Sequence, residues 1–585
     1  MISKAKVLKW PIALFAAIAL VCVFCIPQDA DAVSETGRKN YKLMNGVTES
    51  TVNVVGTNKS NMIVHIIRVQ KGANVSVKVG YKNYYYKNST AAGRLKRKWS
   101  SKTWAWSPVT THVKEYESTK DKVGKVIAAA SMDYLANKGR PTGKVVMEGR
   151  TLSNSTAEDY FAVLKSGQYT IRSGKTSTSD VSEAVGGGST HITPKKRLVK
   201  GGKIMVSKGS AKEPRQAIGY TANQDLVIVN VDGRDPTSVG ATTYDLAMIM
   251  KQQGCVEAIN MDGGGSAAFY TKRSSDKSIQ HRNIAGDGLI RNIASSIMIV
   301  KNSKASTQKV TGKATVSMKS SKTGLVKSKS GVYSYKIGGK KQTGLHMING
   351  HAYMFNDKGN GITRTIKLGK HKYKFKKGRL ASCSDKKAGV VKMGYCGAAS
   401  GGRNIIYAVH SKDRVMNLGI NPLVKRNGKM KNWKSNPVNL PWYADRAKIK
   451  TINFGSGMVN VGNYFMYVSI NKIFDGSKMP KGALTKISFP KTMKTIGNSA
   501  FLNKPNIKNL VFPASVKTIG TKAFAYSGKG YMKFNTKKPP TIKGKAFIST
   551  KCSKFIVKDT AAWKKYVKAK KLKKRGFKRT VKYAK

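Results

Sequence analysis

The residues best suited to chemistry lie in the stretch 213–299, where acidic residues and arginines stand beside glycine turns. Asp262 ends the apolar run VEAINM and is followed by three glycines and a serine, Gly263, Gly264, Gly265 and Ser266. Glycines after a strand let the backbone approach a ligand closely, and successive N–H groups there can bind an anion. The motif therefore predicts a ligand-binding turn at the end of a strand.

Three arginines occupy a similar setting in a chain whose basic residues are mostly lysine: Arg215, Arg234 and Arg291. Asp232-Gly233 precedes Arg234 at the end of an apolar run, and Asp287-Gly288 precedes Arg291. The arginine guanidinium offers a planar fork to phosphate or carboxylate. Each motif alone is explained by an ordinary turn or a capped strand end. Four such motifs in order within one domain instead favour a site that binds a phosphate-bearing substrate next to a carboxylate of the protein.

Taken in order, these motifs resemble the phosphodiester glycosidase family, whose animal members uncover mannose 6-phosphate by removing N-acetylglucosamine from a phosphodiester. The matching residues are Pro214-Arg215 with Ala217 and Gly219, Asp232-Gly233-Arg234, Asp262 to Ser266, and Asn283 with Asp287-Gly288 and Arg291. Upstream, the stretches at 139–150 and 180–192 resemble the family's P-x-G and AVGGG segments. The likeness covers about residues 53–300.

The resemblance implies hydrolysis of a sugar-1-phosphodiester without a cofactor or a required metal. The leaving group is already an anionic phosphate and needs charge stabilisation more than protonation. Asp262 would orient water or stabilise the oxocarbenium-like carbon, with Asp133 as second carboxylate and Ser266 as hydrogen-bond donor. The three arginines and the amides of Gly263, Gly264 and Gly265 would hold the phosphate, supported by Asp232 and Asp287.

One motif departs from the family, which usually has Asn-Gly/Ala-Asp-Phe-Phe after an early strand. This chain has Ser131-Met132-Asp133-Tyr134-Leu135, so the acid and one aromatic survive while the Asn and the small residue do not. An inactive surface adhesion or polysaccharide-binding protein is therefore the alternative to a hydrolase.

The elements that must position this site are predicted as an α/β or α+β domain at residues 42–301. Strand-like runs and glycines alternate there. The runs lie at 62–69, 75–79, 144–147, 226–231 and 297–300, and helical patterns lie at 244–253 and 114–123. A Lys/Ser/Thr-rich linker is predicted at 302–330.

Short aromatic hairpins are predicted at residues 331–380, with turns at Gly338-Gly339 and Asn349-Gly350. They resemble the cell-wall-binding (choline-binding-type) repeats of Gram-positive surface proteins, with an ordinary β-meander as the alternative. A connecting segment at 381–440 follows. Its Cys383 and Cys396 are near enough in sequence for a bridge, with two free thiols as the alternative.

A repeat of 23 residues marks the segment 441–562, since Pro490 and Pro513, Ile496 and Ile519, and Phe501 and Phe524 share that spacing. The period lies in the leucine-rich-repeat range, and the pattern resembles bacterial BspA-like repeats, which predicts a solenoid. After Trp563, a basic tail at 563–585 carries twelve Lys or Arg and no acid.

Charge and the N-terminus indicate where the protein acts. The chain has 585 residues, 40% of them hydrophobic, and a net charge of +80, so it is globular but strongly basic. Residues 1–32 have the basic, apolar and A-x-A parts of a secretory signal. We expect a secreted, wall-associated protein that meets a sugar phosphate or an anionic polysaccharide. A nucleic-acid partner has only the charge in its favour.

Overall fold

The structure of the protein is a computed structural model. It describes residues 33–99, 104–134, 140–187, 197–318, 322–435, 439–468 and 482–584. The predicted signal sequence, Leu135 of the altered motif and the 188–192 part of the AVGGG segment lie outside the described residues.

The N-terminal domain, residues 33–302, is built mainly from short strands. Its elements are β1 (Ser34–Met44), β2 (Val47–Val55), β3 (Asn61–Val69), β4 (Val75–Tyr81), α1 (Ala91–Lys96), α2 (Val109–Glu117), β5 (Gly124–Ser131), β6 (Val145–Met147), β7 (Arg150–Ser153), β8 (Tyr160–Leu164), β9 (Tyr169–Arg172), β10 (Val181–Gly186), β11 (Arg197–Lys200), β12 (Lys203–Ile204), β13 (Arg215–Thr221), β14 (Leu226–Val231), α3 (Thr243–Gln252), β15 (Cys255–Met261), β16 (Phe269–Thr271), β17 (Gln280–His281) and β18 (Ser295–Asn302). All five strand predictions are confirmed.

The N-terminal domain contains three β-sheets in its described ranges. Their strand orders are β1-β2-β3-β14-β13-β15-β11-β12, β17-β16-β5-β18-β4 and β7-β6-β10-β8-β9. Neighbouring strands in them are antiparallel. Parallel strands need long crossovers, whereas these strands are joined mostly by hairpins and short loops. The α/β alternative is therefore wrong, and the domain is mostly β with helices packed on its sheets.

The helix before the DGGGS turn begins where the sequence predicts it. The Thr242 hydroxyl accepts the Asp245 N–H, and the Asp245 carboxylate accepts the Thr242 N–H, which forms a capping box. Leu246, Ile249 and Met250 are buried against the large sheet. Helix α2 lies earlier than the predicted 114–123. It ends at Glu117. The next two hydroxyls, of Ser118 and Thr119, donate back to the carbonyls of Glu115 and Tyr116 in the last turn.

The first part of the predicted linker lies along the N-terminal domain. Met318 is buried, and its N–H donates to Glu35 at 3.0 Å. Arg38 donates to the Val316 carbonyl at 2.9 Å, and Gln70 donates to the Gly312 carbonyl at 2.8 Å. Residues 311–318 are therefore held by the domain that precedes them.

The hairpin module, residues 324–420, follows. Its strands are β19 (Gly324–Lys327), β20 (Tyr333–Ile337), β21 (Lys340–Lys341), β22 (Gly344–Ile348), β23 (His351–Phe355), β24 (Arg364–Leu368), β25 (His371–Lys376), β26 (Arg379–Cys383), β27 (Val391–Tyr395), β28 (Ile405–His410) and β29 (Val415–Ile420). The predicted turns are confirmed, with positive φ at Gly338, Gly339, Asn349 and Gly350. Tyr335, Tyr353 and Phe355 are buried with Val55 of the N-terminal domain.

The repeat region, residues 439–584, contains β30 (Thr451–Phe454), β31 (Asn460–Val461), β32 (Lys486–Ser488), β33 (Thr495–Ile496), β34 (Leu510–Phe512), β35 (Thr518–Ile519), β36 (Tyr531–Phe534), β37 (Thr541–Ile542), β38 (Lys554–Lys558), α4 (Ala561–Lys568), α5 (Lys571–Lys574) and β39 (Thr580–Ala584). Its strands pair in parallel, with Ile496, Ile519 and Ile542 in register. Phe501, Phe524 and Phe547 stack at 5.3 and 6.0 Å, so each turn packs on the next.

The basic tail packs on the last turn of the repeat region. Leu572 and Phe577 are buried, and β39 extends the sheet by pairing with β38. Cys383 and Cys396 are free thiols, as are Cys255 and Cys552. Among the residues that the structure describes, no helix is long and apolar enough to cross a membrane.

Candidate active site

The DGGGS turn is fixed between two sheets of the N-terminal domain. Asp262 directly follows β15, which lies between β13 and β11 in the large sheet. Its N–H donates to the Met132 carbonyl at 2.8 Å, and its carbonyl accepts the Gln216 side chain at 2.9 Å. Met132 directly follows β5 of the second sheet. Asp262 and Asp133 therefore lie at the same junction.

The glycines of the turn are required by packing. A Cβ atom at Gly263 would lie 2.6 Å from the Pro214 carbonyl oxygen, and one at Gly265 would overlap the Asp287 carboxylate. Gly264 has φ 59°, a conformation that favours glycine. Its N–H donates to the Pro214 carbonyl at 2.8 Å. That amide, predicted to face a phosphate, is already used inside the protein.

Asp287 joins two of the predicted arginines. Arg234 Nη1 lies 2.5 Å from Asp287 Oδ1, and Arg291 Nη2 pairs with Asp287 Oδ2. Arg234 Nε also donates to Glu213 at 2.8 Å. Burial disfavours the charged guanidinium, but the Asp287 and Glu213 carboxylates outweigh it and raise the pKa of Arg234. This arginine cluster, Arg234, Asp287 and Arg291, lies directly against Gly264 and Gly265.

The other two motif residues, Arg215 and Asp232, serve local structure. Arg215 Nε donates to the Ala241 carbonyl at 3.2 Å, and its Nη2 donates to the Ala211 carbonyl at 2.9 Å. Burial lowers the pKa of Arg215. Asp232 lies 3.2 Å from His65 Nε2 and accepts the Ile284 N–H at 2.9 Å. Both groups fix the loops around the arginine cluster.

Two residues of the repeat region complete the cluster, and the sequence analysis missed them. Arg446 is 1% exposed, and its Nη1 donates to the Asp287 carbonyl at 3.2 Å. Its guanidinium lies 3.4 Å from the Tyr443 ring centroid, and that of Arg234 lies 5.5 Å from the same centroid. In the described part of the chain, Arg291 Nε and Arg446 Nε are buried without a hydrogen bond, although Asp287 Oδ2 faces Gly265 beside Arg291 Nε. Unpaired donors of this kind favour an anion.

A partly buried lysine joins the three parts of the molecule beside this cluster. Lys392 of the hairpin module pairs with Asp235 of the N-terminal domain and, at 3.0 Å, with Asp445 of the repeat region. A cavity of about 580 Å³ lies at the same junction. Its lining includes residues of all three parts, among them Arg234, Lys212, His346, Tyr395, Tyr407 and Asn439.

Asp133 has no cationic partner among the described residues. It accepts hydrogen bonds from Thr142 Oγ1 at 3.1 Å and from the Gly143 N–H at 3.0 Å. Burial, with Glu158 nearby, raises the pKa of Asp133 to about 8 against these bonds. This carboxyl therefore holds a proton at neutral pH.

Ser131, at the position where the family usually has Asn, links β5 to the DGGGS turn. Its hydroxyl donates to the Ser266 carbonyl at 2.7 Å and accepts the Ala268 N–H at 3.0 Å and Gln216 Nε2 at 2.7 Å. The departure from the family pattern is thus compatible with an ordered turn. Ser266 is itself buried.

Comparison with known proteins identifies two regions. The family Phosphodiester glycosidase matches residues 124–300. The BspA type leucine rich repeat region matches residues 443–567 in six copies. The chain therefore contains a phosphodiester glycosidase-like domain and a BspA-type repeat region. The comparisons do not bear on the predicted cell-wall-binding repeats.

The curated relatives share only part of their length with this chain. The mouse N-acetylglucosamine-1-phosphodiester alpha-N-acetylglucosaminidase is 27% identical over 173 residues, which are 26% of this chain and 33% of that protein. The human enzyme is 27% identical over 156 residues, 23% of this chain and 30% of its own length. The SPbeta prophage-derived protein YomE of Bacillus subtilis is 36% identical over 90 residues, 15% of this chain and 13% of YomE. The chain thus spans a third or less of these relatives.

Solved structures give weaker likenesses. The catalytic domain of zebrafish N-acetylglucosamine-1-phosphodiester alpha-N-acetylglucosaminidase has a TM-score of 0.30 and 16% identity, covering 46% of this chain and 88% of that one. A leucine-rich repeat protein from Eubacterium ventriosum has a TM-score of 0.21 and 20% identity, covering 29% and 45%. The resemblance of this chain to phosphodiester glycosidases therefore rests on the sequence match over residues 124–300.

Proposed function

We propose that the chain is a hydrolase that cleaves a sugar-1-phosphodiester. The observation that carries this proposal is the arginine cluster packed on Gly264 and Gly265, with two buried guanidinium nitrogens that lack a hydrogen bond. A phosphate oxygen is the acceptor that such a site favours. The sequence match to phosphodiester glycosidases supports the same chemistry.

In the proposed mechanism the arginine cluster and Arg446 hold the departing phosphate. Charge on the leaving oxygen rises as the glycosidic bond breaks, and fixed guanidinium groups stabilise it without reorganisation. Asp262 faces the developing positive charge on the sugar carbon or orients the attacking water. Asp133, protonated at neutral pH, is suited to donate a hydrogen bond or a proton. Ser266 and the remaining glycine amides position the substrate.

We further propose that the substrate linkage belongs to an anionic wall or exopolysaccharide polymer, and that the protein is secreted and wall-associated. The net charge of +80 favours adsorption to such polymers, in a way that salt weakens. On this view the repeat turns form a solenoid and, with the hairpins, a binding surface beside the cleavage site.

A binding protein without turnover is the second candidate. It is favoured by one observation: the guanidiniums of Arg234 and Arg291 are already paired with Glu213 and Asp287. A phosphate must then share these donors or use the two unpaired nitrogens. Binding without hydrolysis would follow if the paired arginines cannot reorient.

The test is hydrolysis of a UDP-sugar and of a synthetic sugar-1-phosphodiester in water enriched in ¹⁸O. A glycosidase places the label in the released sugar and leaves the phosphomonoester unlabelled. Label in the phosphate would overturn the glycosidase assignment. Binding without release of sugar would favour the second candidate. Asp357→Asn is the control for every Asp→Asn variant, because Asp357 is exposed in the hairpin module.

A further inference from the structure

Three hairpin turns of the hairpin module bring an unusual set of side chains together, away from the arginine cluster. His410 ends β28, Asp413 lies in the turn before β29, and Asp385 follows β26. One ligand atom from each lies within 4.8 Å of the others. His371, at the start of β25, lies 3.8 Å from Asp385.

The spacing of these atoms suits a tetrahedral ion. His410 Nδ1 lies 3.1 Å from Asp413 Oδ1 and 3.5 Å from Asp385 Oδ2. Ligands bound to zinc at 2.0–2.1 Å in a tetrahedron lie about 3.3–3.4 Å from one another. His371 Nε2 also approaches Asp385 Oδ2, at 3.8 Å, and lies outside the tighter group formed by His410, Asp385 and Asp413.

Among the described residues, the two carboxylates of the cluster have histidines as their ionisable partners, and no lysine or arginine. The chain has 108 Lys and Arg against 28 Asp and Glu, and basic residues are near at hand in sequence. Lys386, Lys387 and Lys412 are nevertheless exposed, and within the described residues neither Asp385 nor Asp413 forms an ion pair with a Lys or Arg. Two neighbouring carboxylates repel each other unless a positive charge lies between them.

The imidazole of His410 is oriented as a metal ligand requires. Its side chain is fully buried, with Nδ1 facing the carboxylates and Nε2 lying 2.8 Å from the Tyr373 hydroxyl. Asn417 donates to the same hydroxyl oxygen at 2.9 Å and fixes its position. A ligating histidine usually donates its other ring N–H to such a partner, which sets the tautomer and the ring angle.

We propose that His410, Asp385 and Asp413, with His371 as fourth ligand, form a site for a divalent transition-metal ion such as Zn²⁺. Imidazole with carboxylate is a donor set that zinc accepts. Such an ion crosslinks the turns after β26 and β28 with the start of β25. It thereby stabilises the hairpin module, independently of the chemistry at the arginine cluster.

The test uses the full chain without an affinity tag, stripped with EDTA and titrated with Co²⁺ and then Zn²⁺. The expected result is one Co²⁺ per chain with the intense visible absorption of four-coordinate cobalt, displaced by Zn²⁺. Asp413→Asn and Asp385→Asn should each weaken binding at least tenfold. Asp357→Asn, the same change at an exposed site of the same module, should leave it unchanged.

Circular dichroism of each variant separates loss of the site from loss of the fold. If Asp413→Asn does not fold, His371→Gln replaces it, because that side chain is only partly buried and should fold while losing the four-coordinate spectrum. A Zn²⁺-dependent rise in melting temperature of the unaltered chain, reversed by EDTA, is the second readout. Absence of the cobalt absorption, or equal affinity in the Asp variants and Asp357→Asn, would overturn the proposal.

Discussion

Asp287 and Asp133 are both buried in the glycosidase-like domain, yet their surroundings are opposite. Asp287 lies between the guanidiniums of Arg234 and Arg291 and carries a negative charge that they balance. Asp133 accepts only neutral donors, from Thr142 and Gly143, and its raised pKa keeps it protonated at neutral pH. The same residue type thus serves as counter-ion in one place and as proton carrier in the other.

The difference shows how one site can separate binding of an anion from exchange of a proton. In the proposed mechanism, a phosphate leaving group needs fixed positive charge, which the arginine cluster would supply. The sugar side needs groups that can exchange or share a proton, which a desolvated carboxyl supplies. Asp262 lies at the junction of the two, because its backbone is bound to Met132 beside Asp133 and its turn continues into Gly264 and Gly265.

The strongest test of the comparison removes the counter-ion. Asp287→Asn leaves two partly buried guanidiniums without their shared carboxylate; breaking a fully buried pair costs about 3–5 kcal/mol, and a loss near the lower bound is expected here. We expect that loss in the free energy of unfolding, measured by urea denaturation, with Asp357→Asn close to the unaltered chain. A change below about 1 kcal/mol would show that the arginines do not depend on Asp287.

The next test addresses the chemistry at the junction. Asp262→Asn should lower kcat on a sugar-1-phosphodiester, because the Asp262 carboxylate would face developing charge. The expected loss of transition-state stabilisation is about 2–4 kcal/mol. Steady-state kinetics on the folded variant measure the loss. Unchanged kcat in this variant would remove Asp262 from the mechanism and leave Asp133 as the carboxylate to examine.

A third test sharpens the arginine side by removing the guanidinium that the repeat region contributes. Arg446→Gln should raise KM about tenfold, because hydrogen bonds to charged groups contribute about 1.5–3 kcal/mol. We expect a smaller effect on kcat. Lys448→Gln, an exposed charge in the same turn, is the control. Equal KM in both variants would mean that Arg446 serves only to join the two domains.

The last test, read as a slope of stability against pH, concerns the proton on Asp133. Its pKa is raised from 3.8 to about 8 in the folded protein, so the folded chain keeps a proton that the unfolded chain loses. Stability contributed by this group therefore falls as pH rises from about 4 to about 8, by at most about 1.4 kcal/mol per pH unit. Asp133→Asn should make the fall shallower. Urea denaturation across this range measures the slope, and identical slopes would contradict a raised pKa.

Of the three arginines singled out in the sequence, Arg234 and Arg291 lie against the glycine turn, whereas Arg215 binds local carbonyls. Strand β15 and helix α3 were predicted because an apolar run followed by glycines and a helical pattern at 244–253 are local signals. The order of the DGR, DGGGS and DG-R motifs also predicted that Arg234 and Arg291 approach the glycines. The pairing of these arginines with Asp287 and Glu213 was not predicted, because it depends on side-chain directions that spacing does not reveal.

Contacts between distant segments could not be predicted from the sequence, because no local pattern encodes them. Arg446 follows Asp287 by a long stretch of chain, so nothing local in the sequence indicates its contact with the arginine cluster. The Asp385, His410 and Asp413 cluster likewise joins separate hairpins at no characteristic spacing. One histidine and two carboxylates at no fixed spacing form no recognisable metal-binding motif in the sequence.

The parallel stacking of the repeat turns divides the chain into a part whose length can vary and a part whose length cannot. The turn with Tyr443 and Arg446 is bound to the arginine cluster, so its length is fixed by that contact. Later turns contact mainly their neighbours, as the register of Ile519 with Ile496 and Ile542 illustrates. Gain or loss of whole turns towards the C-terminus during evolution can therefore change the length of the repeat region without altering the pocket.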